Sequence, residues 1–350
     1  MKTIRDIDVK NKTVLVRVDF NVPLKDGKAE SNLRIRASLP TLEYLREHGA
    51  SKIILISHLG RPEGKDKSLS LKPVATELAK LLPNVSFIDD VSGPDVEQAV
   101  KKLPKGGILL LENLRFFPGE EANSDDFIAE ITTSTGADIY VQDGFAVIHR
   151  AHASTDAIKN HLSVYAGLLL EKEVKNLKAI TKNPTHPVLF IIGGSKISDK
   201  QPLIEKILPK ADHIAIGGKI AADGYTSKSD KIYVANDFDE DSEGHKLDIG
   251  PISTAKIAEY IADAKTIIWN GLLGYAEDPA YATASNIVAD LMGKKENAVT
   301  IVCGGDTTGF VENLMETHPS LHYSLVSTGG GAALELLLGK PLPGLEAISA

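Results

Sequence analysis

Four apolar stretches in the first 150 residues run into arginine or histidine. They are Arg17-Val18-Asp19-Phe20-Asn21, with Arg34 fifteen residues beyond Asp19, then Ser57-His58-Leu59-Gly60-Arg61, Glu112-Asn113-Leu114-Arg115, and His149-Arg150 after Gln142-Asp143-Gly144. A guanidinium forks onto phosphate or carboxylate bidentately, so four such ends in one domain suit a small polyanion. Any one of these arginines alone would read as a surface ion pair of little consequence. All eight arginines lie in the first 150 residues, and the last 200 have none. Those 200 residues instead carry 19 of the 29 glycines, grouped as Gly193-Gly194, Gly217-Gly218, Gly271, Gly304-Gly305 and Gly329-Gly330-Gly331. Clustered glycines let backbone N–H groups approach phosphates closely.

Other chemistries find no support. The chain has no G-x-x-x-x-G-K-[ST], no G-x-G-x-x-G, no H-R-D loop with D-F-G, no H-E-x-x-H and no C-x-x-C. One cysteine among 350 residues excludes a disulfide framework and fits a reducing cytoplasm. Cys303 reads as a small buried apolar residue, and His152 and His161 as structural. A net charge of −8 argues against nucleic acid or membrane surfaces as partners. No apolar run exceeds the five residues 188–192, and the N-terminus lacks a secretory signal's apolar stretch.

The elements that must hold these residues follow from the apolar pattern. In the first half, short β-branched runs at 13–20, 52–58, 85–88, 108–112 and 138–142 alternate with helical spacing, as at 38–48 and 71–82. Runs at 188–192, 213–216, 266–269, 300–303 and 323–326 repeat the alternation, each ending at or near a glycine turn. The prediction is an α/β protein of two parallel-sheet domains, with ligands at the carboxyl ends of the strands. A helix over 165–180, charged around an apolar stripe, is the expected connector.

Longer blocks then make a family visible. VLVRVDFNVPL, LRIRASLPT, SHLGRP, LLENLRFFPGEE, HRAHAST, GGSKISDK, LDIGP, WNG, GGDT and STGGGAALELLLGKPLPG stand in order along nearly the whole chain. In these blocks the sequence resembles the phosphoglycerate kinases. The resemblance implies two Rossmann-like domains joined by an interdomain helix and hinge. They would be a phosphoglycerate-binding domain over 1–164, the helix over 165–182, a nucleotide-binding domain over 183–331, and a segment over 332–350 packing back on the first domain. It implies that Asp19, Asn21, Arg34, His58, Arg61, Arg115 and Arg150 hold 3-phosphoglycerate. Gly193, Gly194, Lys196, Lys200, Gly217, Gly218, Asn270, Glu277, Gly304, Gly305, Asp306 and Thr307 would take ATP or ADP, with Mg²⁺ at Asp306. Arg34, Lys200 and Gly330 would act at the transferred phosphoryl group. The implied reaction moves the acyl phosphate of 1,3-bisphosphoglycerate to ADP, reversibly, in a monomer that closes about its hinge.

The chain departs from the family pattern at several points. A Gly-Thr after Phe145 is replaced within Ala146-Val147-Ile148, Cys303 replaces a glycine, Leu272 a proline, and Ala276 an aromatic residue before Glu277. The stretch 219–247 is several tens of residues short, and its 237–244 part reads as an acidic loop. A more open adenosine site with altered base selectivity is expected. A catalytically weak or silent descendant, serving as sensor or scaffold, is the alternative reading.

Overall fold

A computed structural model describes residues 1–29 and 32–349. The chain divides into two compact units, Met1–Glu173 with Pro341–Ala350, and Val174–Lys340.

The first unit is built on a six-stranded sheet in the order β5-β6-β4-β1-β7-β8, with every pair parallel. Its strands are β1 (Thr13–Arg17), β4 (Lys52–Ile56), β5 (Val85–Phe87), β6 (Gly107–Leu110), β7 (Ile139–Gln142) and β8 (Val164–Ala166), while β2 (Leu24–Lys25) and β3 (Lys28–Ala29) form a small separate hairpin. Helices α1 (Leu33–Glu47), α2 (Lys72–Leu81), α3 (Pro94–Lys102), α4 (Pro118–Glu121) and α5 (Asp125–Thr135) fill the connections. Val14, Leu15, Val16 and Ile53 to Ile56 are wholly buried, as central strands covered on both faces must be.

The second unit has its own parallel sheet, in the order β11-β10-β9-β14-β15-β16. Its strands are β9 (Val188–Ile192), β10 (His213–Ile216), β11 (Ile232–Val234), β14 (Thr266–Asn270), β15 (Val299–Cys303) and β16 (Leu325–Val326), with a hairpin of β12 (Phe238–Glu240) and β13 (Lys246–Ile249). Numbered within the sheet, that order is the doubly wound 3-2-1-4-5-6, with its switch point between β9 and β14. The first sheet differs by inserting its fourth strand between its third and second.

Helix α6 (Leu168–Lys182) contains the boundary between the units. The second unit continues through α7 (Ile197–Ile207), α8 (Gly218–Ala222), α9 (Pro251–Asp263), α10 (Thr283–Gly293), α11 (Gly305–Thr317) and α12 (Gly331–Leu338), and α13 (Pro343–Ser349) returns to the first unit.

Three expectations change. The connector helix begins at Leu168 rather than 165, because residues 164–166 pair with β7 as an edge strand. Residues 332–340 group with the second unit, so only Pro341 onward rejoins the first. The acidic 237–244 stretch is half of a hairpin, since Phe238 and Asp239 pair with Ile249 and Asp248 across it. Cross-strand pairing supplied that order where local composition argued for a loop.

Asp143 ties β7 to α6. Its Oδ1 accepts from the N–H groups of Leu169 at 3.0 Å and Leu170 at 3.3 Å. Burial nevertheless pushes its carboxyl up to about 7, against those hydrogen bonds. A raised folded-state value means the fold favours the protonated form. That contribution is complete below about pH 4 and is lost as pH rises through about 7. Asp143→Asn should therefore gain about 2.5 kcal/mol on the parent between pH 5 and pH 8.5 in urea unfolding. Equal pH dependence in the two proteins would sink this account.

Candidate functional site

In the first unit the cationic side chains converge on one histidine. His58 follows β4 and is 4% exposed. Arg17 Nη2 donates to its Nδ1 at 3.0 Å, which leaves the ring proton on Nε2. Burial, then Arg17, Arg115, Arg150 and Arg34, hold His58 well below the usual histidine range, so it is neutral at pH 7.

Each arginine has its own anchor. Arg34, on α1, pairs with Asp19, just past β1. Arg115 donates through Nη1 to the carbonyl of Gly60 at 2.7 Å and through Nε to Glu121 at 3.0 Å. Burial brings its guanidinium down to about 10, with Glu121 pulling the other way. Asn21 Oδ1 accepts from the Gly60 N–H at 2.9 Å, which fixes the turn carrying Arg61, itself exposed. Arg150 is half-buried, and Thr155 donates to its carbonyl at 2.5 Å.

Arg17 stands among the basic strand ends of the sequence but not among the residues that the resemblance assigns to 3-phosphoglycerate. It is 1% exposed and pairs with Glu120 at 3.4 Å, and Glu120 in turn accepts from the Ser154 hydroxyl at 2.6 Å. The signal was a lone charge inside VLVRV, since a buried strand keeps an arginine only with a partner. Ala146-Val147-Ile148 also takes a packing role. Val147 and Ile148 are buried, and the Ile148 carbonyl accepts from Gly344 N at 2.9 Å, anchoring the C-terminal segment.

The second unit holds a cleft of about 660 Å³ at the carboxyl end of its sheet. Of the residues expected from the sequence, Gly194, Lys196, Lys200, Asn270, Glu277, Gly304, Gly305, Asp306, Thr307 and Gly330 line it. Gly193, Gly217 and Gly218 are not among the lining residues. Gly193 and Gly218 are packed against backbone: a Cβ on Gly193 would meet the Leu272 carbonyl oxygen at 2.1 Å, and one on Gly218 at 2.8 Å, whereas a Cβ on Gly217 would meet the Leu273 side chain at 2.7 Å.

The polar groups of the cleft are held from behind. Lys200, in the first turn of α7, pairs with Asn270 Oδ1. Asn270 Nδ2 donates to Cys303 Sγ at 3.2 Å, so the cysteine in the family's glycine position orients that amide. Thr307 Oγ1 accepts from Gly271 N at 2.8 Å, joining the β14 turn to α11. Helices α11 and α12 are preceded by Gly304 and Gly330, both with positive φ, and their N-terminal turns and positive dipole ends meet the cleft. Lysines and helix N-terminal N–H groups suit the cleft to an anion, with the Glu277 carboxylate as a polar neighbour.

Asp306 and Glu277 are the carboxylates of the lining. No group of three or more metal-ligating side chains occurs among the described residues. One exposed aspartate beside an anion site still fits Mg²⁺, which keeps most of its waters and takes one or two carboxylates plus phosphate oxygens. Lys219 and Lys246 also line the cleft and were missed because they lie in the shortened region, and Tyr275 was missed because only its hydrogen bond to Leu247 brings it there.

The phosphoglycerate kinase family model matches residues 4–226 and 222–340, two pieces that meet inside the shortened stretch. The chain is 41% identical to the phosphoglycerate kinase of Moorella thermoacetica over 394 aligned positions, covering 99% of this chain and 98% of that protein. It is equally 41% identical to the one from Roseiflexus sp. over 397 positions, covering 99% of each. Among solved structures, the phosphoglycerate kinase of Pyrococcus horikoshii superposes with a TM-score of 0.87 at 26% identity, covering 100% of this chain and 98% of that one. That of Coxiella burnetii gives 0.79 at 33% identity, covering 99% and 98%.

Proposed function

The chain belongs to the phosphoglycerate kinase family, and on that premise we propose how its residues divide the reaction. As a phosphotransferase of this family it uses ATP and ADP, and passes phosphate between them and the 3-phosphoglycerate/1,3-bisphosphoglycerate pair. The first unit holds phosphoglycerate through Asp19, Asn21, Arg34, His58, Arg61, Arg115 and Arg150. The second holds the nucleotide phosphates through Lys196, Lys200, Asn270 and the 304–307 turn, with Glu277 for the ribose. The observation that supports this most is the division of charge: four arginines around a neutral His58 on one unit, lysines and helix N-termini around a cleft on the other.

In the direction of ATP use, an oxygen of the phosphoglycerate carboxylate forms a bond to the γ-phosphorus while the bond to ADP breaks. The carboxylate is already ionised at neutral pH, so no proton moves and no general base is needed. What remains is stabilisation of charge on the phosphoryl oxygens, by Arg34, Lys200 and the N–H groups that open α12 at Gly330. Asp306 and phosphate oxygens would hold Mg²⁺, which neutralises nucleotide charge when bound. Closure about a hinge near α6 would align donor and acceptor and exclude water. We further infer a cytoplasmic monomer.

The test is turnover of 3-phosphoglycerate with Mg-ATP, coupled to a reductive dehydrogenase. Signal that requires both substrates is expected. Phosphoglycerate binding without any turnover would overturn the enzyme reading.

A further inference from the structure

Resting on the phosphoglycerate site proposed above, a buried carboxylate outside the assigned residues supports that site from behind. We propose that Glu120 is a positioning residue: through Arg17 it fixes which ring nitrogen of His58 carries the proton, and with it the donor that phosphoglycerate meets.

Glu120, in α4, is wholly buried. Three donors converge on its carboxylate. Ser154 gives its hydroxyl to Oε1 at 2.6 Å and its backbone N–H to Oε2 at 3.1 Å, while Arg17 Nη1 approaches Oε1 at 3.4 Å. Ser154 is itself held, since its carbonyl accepts from the Tyr140 hydroxyl, and the Glu120 carbonyl accepts from Ala153 N at 2.9 Å. His152 Nδ1, 3.9 Å from Oε1, lies beyond hydrogen-bond range. The carboxylate is thus a fixed anchor for the arginine.

A guanidinium is a rigid planar fork, so holding Nη1 also sets where Nη2 points. Nη2 stands 3.0 Å from His58 Nδ1. Guanidinium nitrogens only donate, so Nδ1 is the bare acceptor and the proton sits on Nε2. With Arg17 displaced, the Asp19 carboxylate, 4.0 Å from Nδ1, would favour a proton on that nitrogen instead. The difference matters to a ligand whose phosphate and carboxylate oxygens only accept. An Nε2–H can donate to such an oxygen, whereas a bare Nε2 turns a lone pair towards it. Charge compensation of a buried arginine, by contrast, would act on stability and leave the tautomer alone.

Histidine ring ¹⁵N spectra of the full chain, with His58 assigned against His58→Gln, test this together with steady-state kinetics. The parent should show a protonated Nε2 and a bare Nδ1 on His58 at neutral pH. In Glu120→Gln one amide oxygen cannot serve three donors, so the Nδ1-protonated form should appear. The KM for 3-phosphoglycerate should then rise about tenfold, with kcat kept within about threefold. Ser154→Ala, a milder change, should move both readouts the same way, with KM up about threefold, and it decides the matter if Glu120→Gln does not fold. The parent tautomer in the folded variants, or a loss of kcat with KM unchanged, overturns the proposal. A changed tautomer in a protein that turns over no phosphoglycerate counts against the proposed function and supports the hold of Glu120 on the ring.

Discussion

Lys200→Ala should lower kcat by about a thousandfold, with a much smaller change in the KM for 3-phosphoglycerate. The size follows from the chemistry. An ionised carboxylate needs no base, so cations and aimed N–H groups carry nearly the whole rate enhancement. Lys200 is a cation held at the cleft by Asn270, in the first turn of α7. Arg34, held by Asp19, should be comparably costly to remove. The pH profile adds a check, because loss of a cation should lower the rate evenly between pH 6 and 8, whereas loss of a proton carrier would reshape the profile. Steady-state kinetics of Lys200→Ala and Arg34→Ala decide the matter. A loss below about tenfold in both would remove them from the phosphoryl site.

Gly271→Ala should cost at least about 3 kcal/mol of stability and abolish nucleotide binding. Two independent penalties act there. The residue has φ of +106°, which side-chain-bearing residues rarely adopt. A Cβ would also stand 2.2 Å from the Gly193 carbonyl oxygen and 2.9 Å from Gly194 N. Both are backbone atoms of the neighbouring turn, so relief requires moving the end of β9 or shifting residue 271, whose N–H donates to the Thr307 hydroxyl. Gly309→Ala is the control. It has open space for a Cβ and lies inside α11, so alanine there should stabilise by up to about 1 kcal/mol. Chemical denaturation and ADP titration of the two variants give the comparison, and a Gly271→Ala protein as stable as the parent would refute the interlocked turns.

Much of the site could be read before any coordinates. Arg34, His58, Arg115 and Arg150 stand out together, because several cations gathered in one domain suit an anion where any one alone reads as a surface ion pair. Lys200, Asn270 and Asp306 follow from blocks long enough to identify a family. Arg17 was visible as a basic strand end, but its buried pairing was not, because a charge within a strand gives no hint that Glu120, 103 residues away, will meet it. Tyr275 escaped for a different reason. It became a cleft wall only once β12 and β13 paired and Leu247 accepted its N–H.

The two-domain α/β architecture and the glycine turns that end its C-terminal strands were therefore written in local pattern, since strand and helix periods and turn preferences act over a few residues. What each glycine is for was settled only by folding. Gly194 and Gly304 face the cleft, while Gly193 and Gly218 let turns from separate strands touch and Gly217 leaves room for the Leu273 side chain. The same holds for Ile148, which replaces a polar pattern near the arginines and instead holds Gly344 of the returning segment. Such contacts join residues far apart in the chain, and a local propensity carries no information about a partner that arrives only when the sheet closes around it.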